Sequence, residues 1–340
     1  MGRANENKIS GSLSYVIDYN ILRMELNRRL VYTIKKYTNL CRGAEMKKYI
    51  SIDIGGTAIK YGVVTENAVI VTRGEMPTEA QKGGPAILKK VTDIVYQACQ
   101  TDEICGICIS TAGMVDTQRG EIFYSAPLIP QYAGTKFKET LERQFGIPCE
   151  VENDVNCAGL AEYTSGAAQG SGLMLMLTIG TGIGGCIVMN GEVFHGFANS
   201  ACEIGYMHLR GSDFQTLGSA SALTKKVAGW KQEPEENWNG YRIFEQAEQG
   251  DILCRNAIDE MVDVLGQGIA NICYVIDPET VVLGGGIMAQ EAYLRDKIQA
   301  SVNQYLIDNI ASRIKITFAK HKNNAGMLGA FYHFMNRRKE

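Results

Sequence analysis

The stretch KKYISIDIGGTAIKYGVV, residues 47–64, decides the fold because its design recurs in SGLMLMLTIGTGIGGCIVM, residues 171–189. In each, an apolar run enters a glycine-rich turn and a second apolar run leaves it, which predicts a β-hairpin. A third run, TVVLGGGI at residues 280–287, also ends in glycines. Repetition of the hairpin and its loop predicts two homologous halves.

Helix-like and strand-like segments alternate between these landmarks. Residues 85–100, PAILKKVTDIVYQACQ, carry apolar side chains at helical spacing, and residues 103–110, EICGICIS, read as a strand. Residues 251–276 predict a long amphipathic helix. This alternation predicts the α/β class.

The glycine-rich turns are candidate phosphate-binding loops. Two such loops facing one cleft would hold a nucleotide triphosphate from both sides through backbone N–H groups. The chain has no GxxxxGK[ST] motif, and GTGIGG at 180–185 lies between two strands instead of opening a helix, which argues against dinucleotide binding. Taken alone, the first turn could be an ordinary hairpin turn without a role in phosphate binding, but its repetition disfavours this alternative.

Composition excludes several other classes of function. The chain has 340 residues, a formal net charge of −3 and a pI of about 5.9. These values give no indication of nucleic-acid or membrane binding. The ten cysteines are scattered, and Cys105 and Cys108 form a CxxC that we interpret as core packing. No signal peptide is recognisable, so we expect a reduced, cytoplasmic setting.

Residues 1–45 differ from the rest of the chain. They are rich in Asn, Lys, Arg and Tyr, lack clear periodicity and precede a second plausible start at Met46. We interpret them as an extension upstream of the native start. The alternative is a short amphipathic arm around residues 15–34.

Seven motifs in order resemble the ROK family (repressors, open reading frames and kinases), over residues 47–335. They are DIGGTAIK (53–60), STAGMVD (110–116), END (152–154), TIGTGIGG (178–185), CEIGYMHL (202–209), LGGGI (283–287) and NNAGMLGA (323–330). The resemblance implies a duplicated two-domain fold of the actin-like ATPase (ribonuclease H-like) type with the active site in the interdomain cleft. It implies a small domain of residues 46–164 plus 326–340 and a larger domain of residues 165–325.

The resemblance also implies an ATP- and Mg²⁺-dependent sugar kinase, similar to glucokinases or β-glucoside kinases. Asp53 would orient Mg²⁺ through its waters. Asn153, Glu203 and Gly113 would contact the sugar. The residues expected to face the nucleotide are Gly55, Gly56, Thr57, Thr181, Gly182, Gly284, Gly285 and Gly286, with Lys60 left open between phosphate and solvent.

Asp154 is the candidate general base. Phosphoryl transfer to a sugar hydroxyl needs a carboxylate that accepts the proton as the oxygen attacks. A position at a helix start favours the ionised form of that carboxylate. The alternative role, an N-cap aspartate, fits the same position, and the family resemblance favours the catalytic role.

The chain departs from the family at the structural zinc site. Tyr206 stands where relatives have a histidine, the cysteine cluster is absent, and His208 lies two residues late. We therefore predict no zinc. Gln215 replaces a glutamate near the reducing end of the sugar, which makes a β-glucoside or a disaccharide conceivable beside free glucose.

Three functions remain open from the sequence. The first is a kinase that phosphorylates a hexose or glucoside, at O6. The second is a ROK-type sugar-binding transcriptional regulator, which the absence of a helix-turn-helix pattern or a strongly basic stripe disfavours. The third is an inactive sugar-binding homologue. Relatives are commonly dimers, so we expect a homodimer.

Overall fold

A computed structural model describes residues 46–125, 127 and 129–339. The interpretation of residues 1–45 as an upstream extension, and its alternative, lie outside the described residues. The strands are β1 (Lys48–Ile54), β2 (Ala58–Thr65), β3 (Gly74–Pro77), β4 (Ile104–Thr111), β5 (Met114–Asp116), β6 (Glu121–Tyr124), β7 (Cys149–Asn153), β8 (Leu173–Ile179), β9 (Ile183–Met189), β10 (Glu192–Val193), β11 (His208–Leu209), β12 (Ser212–Asp213), β13 (Thr280–Gly284) and β14 (Lys315–Phe318).

Helices fill the connections between the strands. They are α1 (Gly84–Thr101), α2 (Phe137–Phe145), α3 (Asp154–Ser165), α4 (Phe214–Gly218), α5 (Ala220–Lys231), α6 (Gly240–Glu248), α7 (Ile252–Ile276), α8 (Glu291–Tyr305), α9 (Asp308–Ala311) and α10 (Ala325–Arg337). The segments predicted to be helical at 85–100 and 251–276 form α1 and α7, which confirms both predictions.

Two five-stranded sheets share one strand arrangement. The first has the order β3-β2-β1-β4-β7 and the second the order β10-β9-β8-β13-β14. In each, an antiparallel hairpin (β1–β2 or β8–β9) is followed by two parallel strands. Both hairpins predicted from the repeated stretch are therefore confirmed, and the matching order is the arrangement expected of duplicated halves.

Helices α3 and α10 form the layer between the sheets. Leu160 of α3 packs with buried residues of the second sheet such as Met174 and Cys186, while Phe331 and Phe334 of α10 pack with Tyr49 of the first sheet. The two helices approach very closely, since a Cβ at Gly329 would lie 1.8 Å from the carbonyl oxygen of Cys157. This contact fixes α3, which begins at Asp154, against both sheets.

The two cysteines of the CxxC motif differ in their exposure. Cys108 is buried in β4 as expected, but Cys105 is exposed, so core packing is the wrong interpretation for that thiol. Neighbouring side chains on a strand alternate between faces, so residues three apart point to opposite sides. Within the described ranges, no helix is both long and apolar enough to cross a membrane.

Candidate active site

Three parallel strands end at one edge of the first sheet, where the predicted site residues lie. Asp53 of β1 pairs in register with Ser110 of β4, and Ser110 pairs with Glu152 of β7. Asp154 follows as the first residue of α3. Because the carboxyl ends of neighbouring parallel strands meet at one edge, the predicted magnesium ligand Asp53 and the predicted base Asp154 share this edge.

The Asp53 carboxylate is held by polar neighbours. The Ser110 hydroxyl donates to Asp53 Oδ1 at 2.7 Å, and Lys60 pairs with Asp53 in the β1–β2 ladder. Burial raises the pKa of Asp53, against the Ser110 hydrogen bond and the Lys60 charge. Lys60 is half-buried, with its Nζ 3.4 Å from Asn323 Oδ1. It therefore lies beside the predicted metal ligand.

The start of α10 packs directly on Asp53. A Cβ at Gly326 would lie 2.3 Å from Asp53 Cγ, far inside the optimal separation of two non-bonded carbon atoms. Only glycine lets α10 reach the strand edge at this position. The sequence motif NNAGMLGA carried the family resemblance but gave no role to this residue.

Thr78 anchors the first glycine-rich loop through two hydrogen bonds. Thr78 Oγ1 donates to the carbonyl oxygen of Gly55 at 2.6 Å, and the Thr78 N–H donates to the carbonyl oxygen of Thr57 at 2.9 Å. Gly56 and Thr57 are exposed, and a Cβ at Gly56 would meet no protein atom within 4 Å. The tip of the loop is thus open to a ligand.

The second and third loops lie at one edge of the second sheet, because β8 and β13 are paired parallel neighbours. The exposed Thr181 and half-buried Gly182 follow β8. Gly284 is the last residue of β13, and Gly285 has φ +94°, with Ile179 O only 2.3 Å from where its Cβ would be. A side chain on residue 285 would clash with the end of β8, whereas Gly286 has open space around it.

Asn153, not Asp154, caps α3, which corrects the alternative role considered for Asp154. Asn153 Oδ1 accepts hydrogen bonds from the N–H groups of Val155 (2.9 Å) and Asn156 (3.1 Å). Its Nδ2 donates to the carbonyl oxygen of Gly113 at 3.0 Å and to Asp154 Oδ1 at 3.1 Å. Asn153 therefore links Asp154 to the loop that follows β4.

The helix start is expected to favour the ionised form of Asp154, but other influences on its pKa are larger. Burial, and then the nearby charge of Asp53, raise its pKa to about 6. The Val155 N–H and the Asn153 amide lower it but do not balance the rise. A carboxyl group with a pKa near 6 is mostly ionised at neutral pH and is more basic than an ordinary aspartate.

A cavity of about 190 Å³ lies beside these groups. The predicted sugar-contacting residues Gly113, Asn153 and Glu203 all line it, together with Tyr206 and Tyr124. Burial raises the pKa of Glu203. The structure thus brings together three of the four predicted sugar-binding residues.

Gln215, the fourth, is not among the described residues that line this cavity. Its Oε1 lies 2.6 Å from the Cβ position of Gly182 and 2.9 Å from that of Gly205. Gln215 therefore packs between the second glycine-rich loop and the short 3₁₀ helix Ile204–Tyr206. From there it supports the segment that carries Tyr206.

The segment that replaces the family zinc site holds exposed side chains. Tyr206 and His208 are exposed, and His208 Nδ1 lies 3.7 Å from Asp213 Oδ1. Among residues 46–125, 127 and 129–339, no group of three or more His, Cys, Asp or Glu side chains is arranged to hold a metal ion. The absence of zinc stays a prediction.

Sequence reasoning missed a charged cluster next to Asp154. Glu152 of the END motif is 1% exposed and receives His195 Nε2 at 2.6 Å, and His333 Nδ1 lies 3.4 Å away. The only available signal was that the chain has four histidines in all. No local pattern indicates that two of them converge on one glutamate.

Comparison with known proteins agrees with this geometry. The ROK family model matches residues 49–337. A β-glucoside kinase of Listeria monocytogenes is 34% identical over 296 residues, 85% of this chain and 97% of that protein. A ROK hexokinase from Thermus thermophilus superposes with a TM-score of 0.75 at 27% identity, covering 86% of this chain and 100% of that chain.

A ROK family glucokinase from Streptomyces griseus, solved with glucose and AMPPNP, gives a TM-score of 0.71 at 26% identity, over 83% of this chain and 97% of that chain. The two-sheet architecture described above is therefore the actin-like ATPase fold of these sugar kinases. The family model covers nearly the whole described chain, and the β-glucoside kinase matches 85% of this chain over 97% of its own length. The protein belongs to the ROK family.

Proposed function

We propose that the protein is an ATP-dependent sugar kinase that transfers the γ-phosphate to a hydroxyl of a hexose or glucoside, at O6. The observation that carries this proposal is the position of Asp154. It shares a strand edge with Asp53 and is hydrogen-bonded to Asn153, which lines the cavity. The Asp154 carboxylate therefore lies next to a residue that lines the candidate sugar pocket and at the same strand edge as the predicted metal ligand.

Asp154 would accept the proton of the attacking hydroxyl. Its pKa of about 6 leaves it ionised at neutral pH while making it a stronger base than an exposed aspartate. Asn153 Nδ2 holds Asp154 Oδ1 at 3.1 Å, which fixes the direction of the carboxylate. Glu203 and the backbone of Gly113 would hydrogen-bond other hydroxyls of the same sugar.

The donor side would be formed by the three glycine-rich loops. Gly55–Thr57 would face the terminal phosphates, Thr181 and Gly182 the other side of the phosphate chain, and Gly284–Gly286 the adenosine. The Asp53 carboxylate with the neighbouring Ser110 hydroxyl fits hydrated Mg²⁺, which prefers oxygen ligands. Bound with ATP, Mg²⁺ would supply charge neutralisation at the transferred phosphoryl group.

The cleft would lie between a small domain of residues 46–164 plus 326–340 and a larger domain of residues 165–325. Closure of such a cleft excludes water and limits idle hydrolysis of ATP. We propose that the protein acts as a homodimer in the cytoplasm, where ATP is available. Sedimentation of the purified protein at micromolar concentration tests the dimer.

The acceptor would be a free hexose or a β-glucoside. Tyr206 and Tyr124 line the cavity and are 51% and 49% exposed. Aromatic faces of this kind offer an apolar surface to a substituent on the sugar. The similarity to a β-glucoside kinase supports this extension of the acceptor range.

A coupled ADP-release assay tests the proposal across glucose, fructose, N-acetylmannosamine, cellobiose and aryl β-glucosides. We expect turnover with at least one of them, and phosphorus-coupled NMR of the product should place the phosphate on the primary hydroxyl. Calorimetry with the same sugars completes the test. Sugar binding without turnover on any acceptor would contradict the proposal and favour a regulator or an inactive homologue.

A further inference from the structure

The buried carboxylate of Glu152 joins the END turn to two distant segments. Its Oε1 accepts hydrogen bonds from the Asn153 N–H at 2.7 Å and from Asn156 Nδ2 at 3.1 Å. Its Oε2 accepts from His195 Nε2 at 2.6 Å and lies 3.4 Å from His333 Nδ1. One oxygen of this carboxylate therefore holds the turn that presents Asp154, and the other faces the two histidines.

The two histidines come from different parts of the fold. His195 lies in the loop between β10 and Glu203. Within this loop the Ala201 N–H donates to the His195 carbonyl oxygen at 3.2 Å. His333 lies on α10, the helix whose start packs on Asp53. Glu152 thus connects three segments: the turn that carries the predicted base Asp154, the loop that leads to Glu203, and helix α10, which packs on the predicted metal ligand Asp53.

The charges of the cluster follow from its surroundings. Burial opposes ionisation of Glu152, but its polar neighbours, the His195 hydrogen bond foremost, lower its pKa overall. Burial lowers the pKa of His195, but the hydrogen bond and charge of Glu152 outweigh it, so the net shift is upward. The other charged groups facing His195 are Arg337, which lowers its pKa, and Glu192, which raises it.

His333 completes the cluster as a neutral ring. Burial lowers its pKa, and its Nε2 is buried without a hydrogen-bond partner among the described residues. Its Nδ1 faces Glu152 Oε2 at 3.4 Å. Glu152 and His195 therefore form the charged pair, and the ring of His333 packs beside it.

We propose that His195 is a positioning residue of the kinase reaction: by holding the Glu152 carboxylate, it keeps the Asn153–Asp154 turn in place relative to the loop that carries Glu203. This inference rests on the proposed function. A protonated His195 makes a charge-assisted hydrogen bond, which is shorter and stronger than a neutral one. Loss of its proton at alkaline pH would weaken the connection and lower kcat.

The surroundings of His195 give its ring access to solvent and leave room for an added small molecule in its place. Its side chain is 26% exposed, and a cavity of about 270 Å³ lies beside it, also lined by His333, Arg337 and Gln118. Removing the ring with His195→Ala would enlarge this cavity by the volume of one imidazole. Free imidazole can then bind next to Glu152.

Kinetic pH profiles of His195→Gln and His195→Ala test the proposal. We expect kcat to fall about 10- to 100-fold, since a displacement of about 1 Å in a catalytic group has an effect of that size, with the KM for sugar within about threefold. The wild-type loss of kcat at high pH should be absent in His195→Gln. Imidazole should restore part of the kcat of His195→Ala.

His321→Gln is the matched control, because His321 bonds Ser165 Oγ at an exposed site. It should retain the wild-type kcat and pH profile. A His195→Gln enzyme with the wild-type kcat or the wild-type alkaline limb would overturn the proposal, as would an imidazole-insensitive His195→Ala. If wild type turns over no sugar, the proposed function fails, whereas active wild type with unaffected His195 variants overturns only this inference.

Histidine titration of the wild-type protein by NMR gives a readout independent of activity. The chain has four histidines, so single substitutions assign their signals. We expect the pKa of His195 to lie above the ordinary histidine value and the pKa of His333 to lie below it. An ordinary, unshifted titration of His195 would contradict the charged pair and overturn the proposal.

Discussion

Replacement of Asp154 by asparagine should make the protein more stable at neutral pH while abolishing most of its activity. Burial and the charge of Asp53 raise the pKa of Asp154 from 3.8 to about 6. A rise of about two units corresponds to roughly 3 kcal/mol by which the ionised carboxylate destabilises the folded state. The amide introduced by Asp154→Asn would be neutral at every pH, and its oxygen can still accept the hydrogen bonds that Val155 and Asn153 now donate.

The sign of the pH dependence follows from the direction of the shift. Because the folded-state pKa lies above the unfolded value, the stability of the wild type falls as pH rises from about 4 to above 6. We therefore expect Asp154→Asn to exceed the wild type by up to roughly 3 kcal/mol at pH 8. The difference should shrink steadily below pH 6 and disappear near pH 4.

Denaturant unfolding of both proteins between pH 4 and pH 8 measures this difference. Asp251→Asn is a control of opposite sign, because the Lys231 hydrogen bond lowers the pKa of Asp251 to about 2. That variant should be less stable than wild type at pH 8. A variant Asp154→Asn that is no more stable than wild type at pH 8, or that differs from it equally at all pH values, would refute the reasoning.

Three further predictions concern the surroundings of the site. Gly326→Ala would place a Cβ 2.3 Å from the Asp53 carboxyl carbon, so we expect a lower kcat and a higher Mg²⁺ requirement in titrations of the rate. Gly229→Ala, whose Cβ would meet nothing within 4 Å, should leave both quantities unchanged. A normal Mg²⁺ requirement in Gly326→Ala would contradict the placement of α10. Glu203→Gln should raise the KM for sugar about tenfold or more, because a hydrogen bond to a charged group contributes about 1.5–3 kcal/mol, and an unchanged KM would remove Glu203 from the sugar site. Elemental analysis should find less than about 0.1 equivalent of zinc, and chelator should leave the melting temperature unchanged, since a structural zinc contributes folding energy directly; one equivalent of zinc would overturn that prediction.

The sequence predicts the architecture well because the strands and turns that define it are specified by residues close together in the chain. Apolar runs on both sides of the turns at Gly55 and Gly182 specify two hairpins, and both form in register. The END triplet at a strand-to-helix junction likewise placed Asp154 at a strand edge. Each of these features depends on neighbours within a few residues.

The parts that escaped prediction depend on contacts between distant segments. Glu152 and His195 are 43 residues apart, and Gly326 of α10 contacts Asp53 from the far end of the chain. Even the choice between Asn153 and Asp154 as the cap of α3 is set by tertiary structure. Asn153 Nδ2 finds an acceptor on Gly113, 40 residues away, which fixes the side chain in its capping position.

The central claim, that Asp154 is the general base of a sugar kinase, is tested most directly by single-turnover phosphorylation with Asp154→Asn on the acceptor identified by ADP release. General-base catalysis contributes about 10²- to 10⁴-fold. We expect the rate of the chemical step to fall by at least about a hundredfold, with the Kd for sugar, measured by calorimetry, within about threefold of wild type. A rate within tenfold of wild type, or a loss of sugar binding that accounts for the whole effect, would contradict the claim.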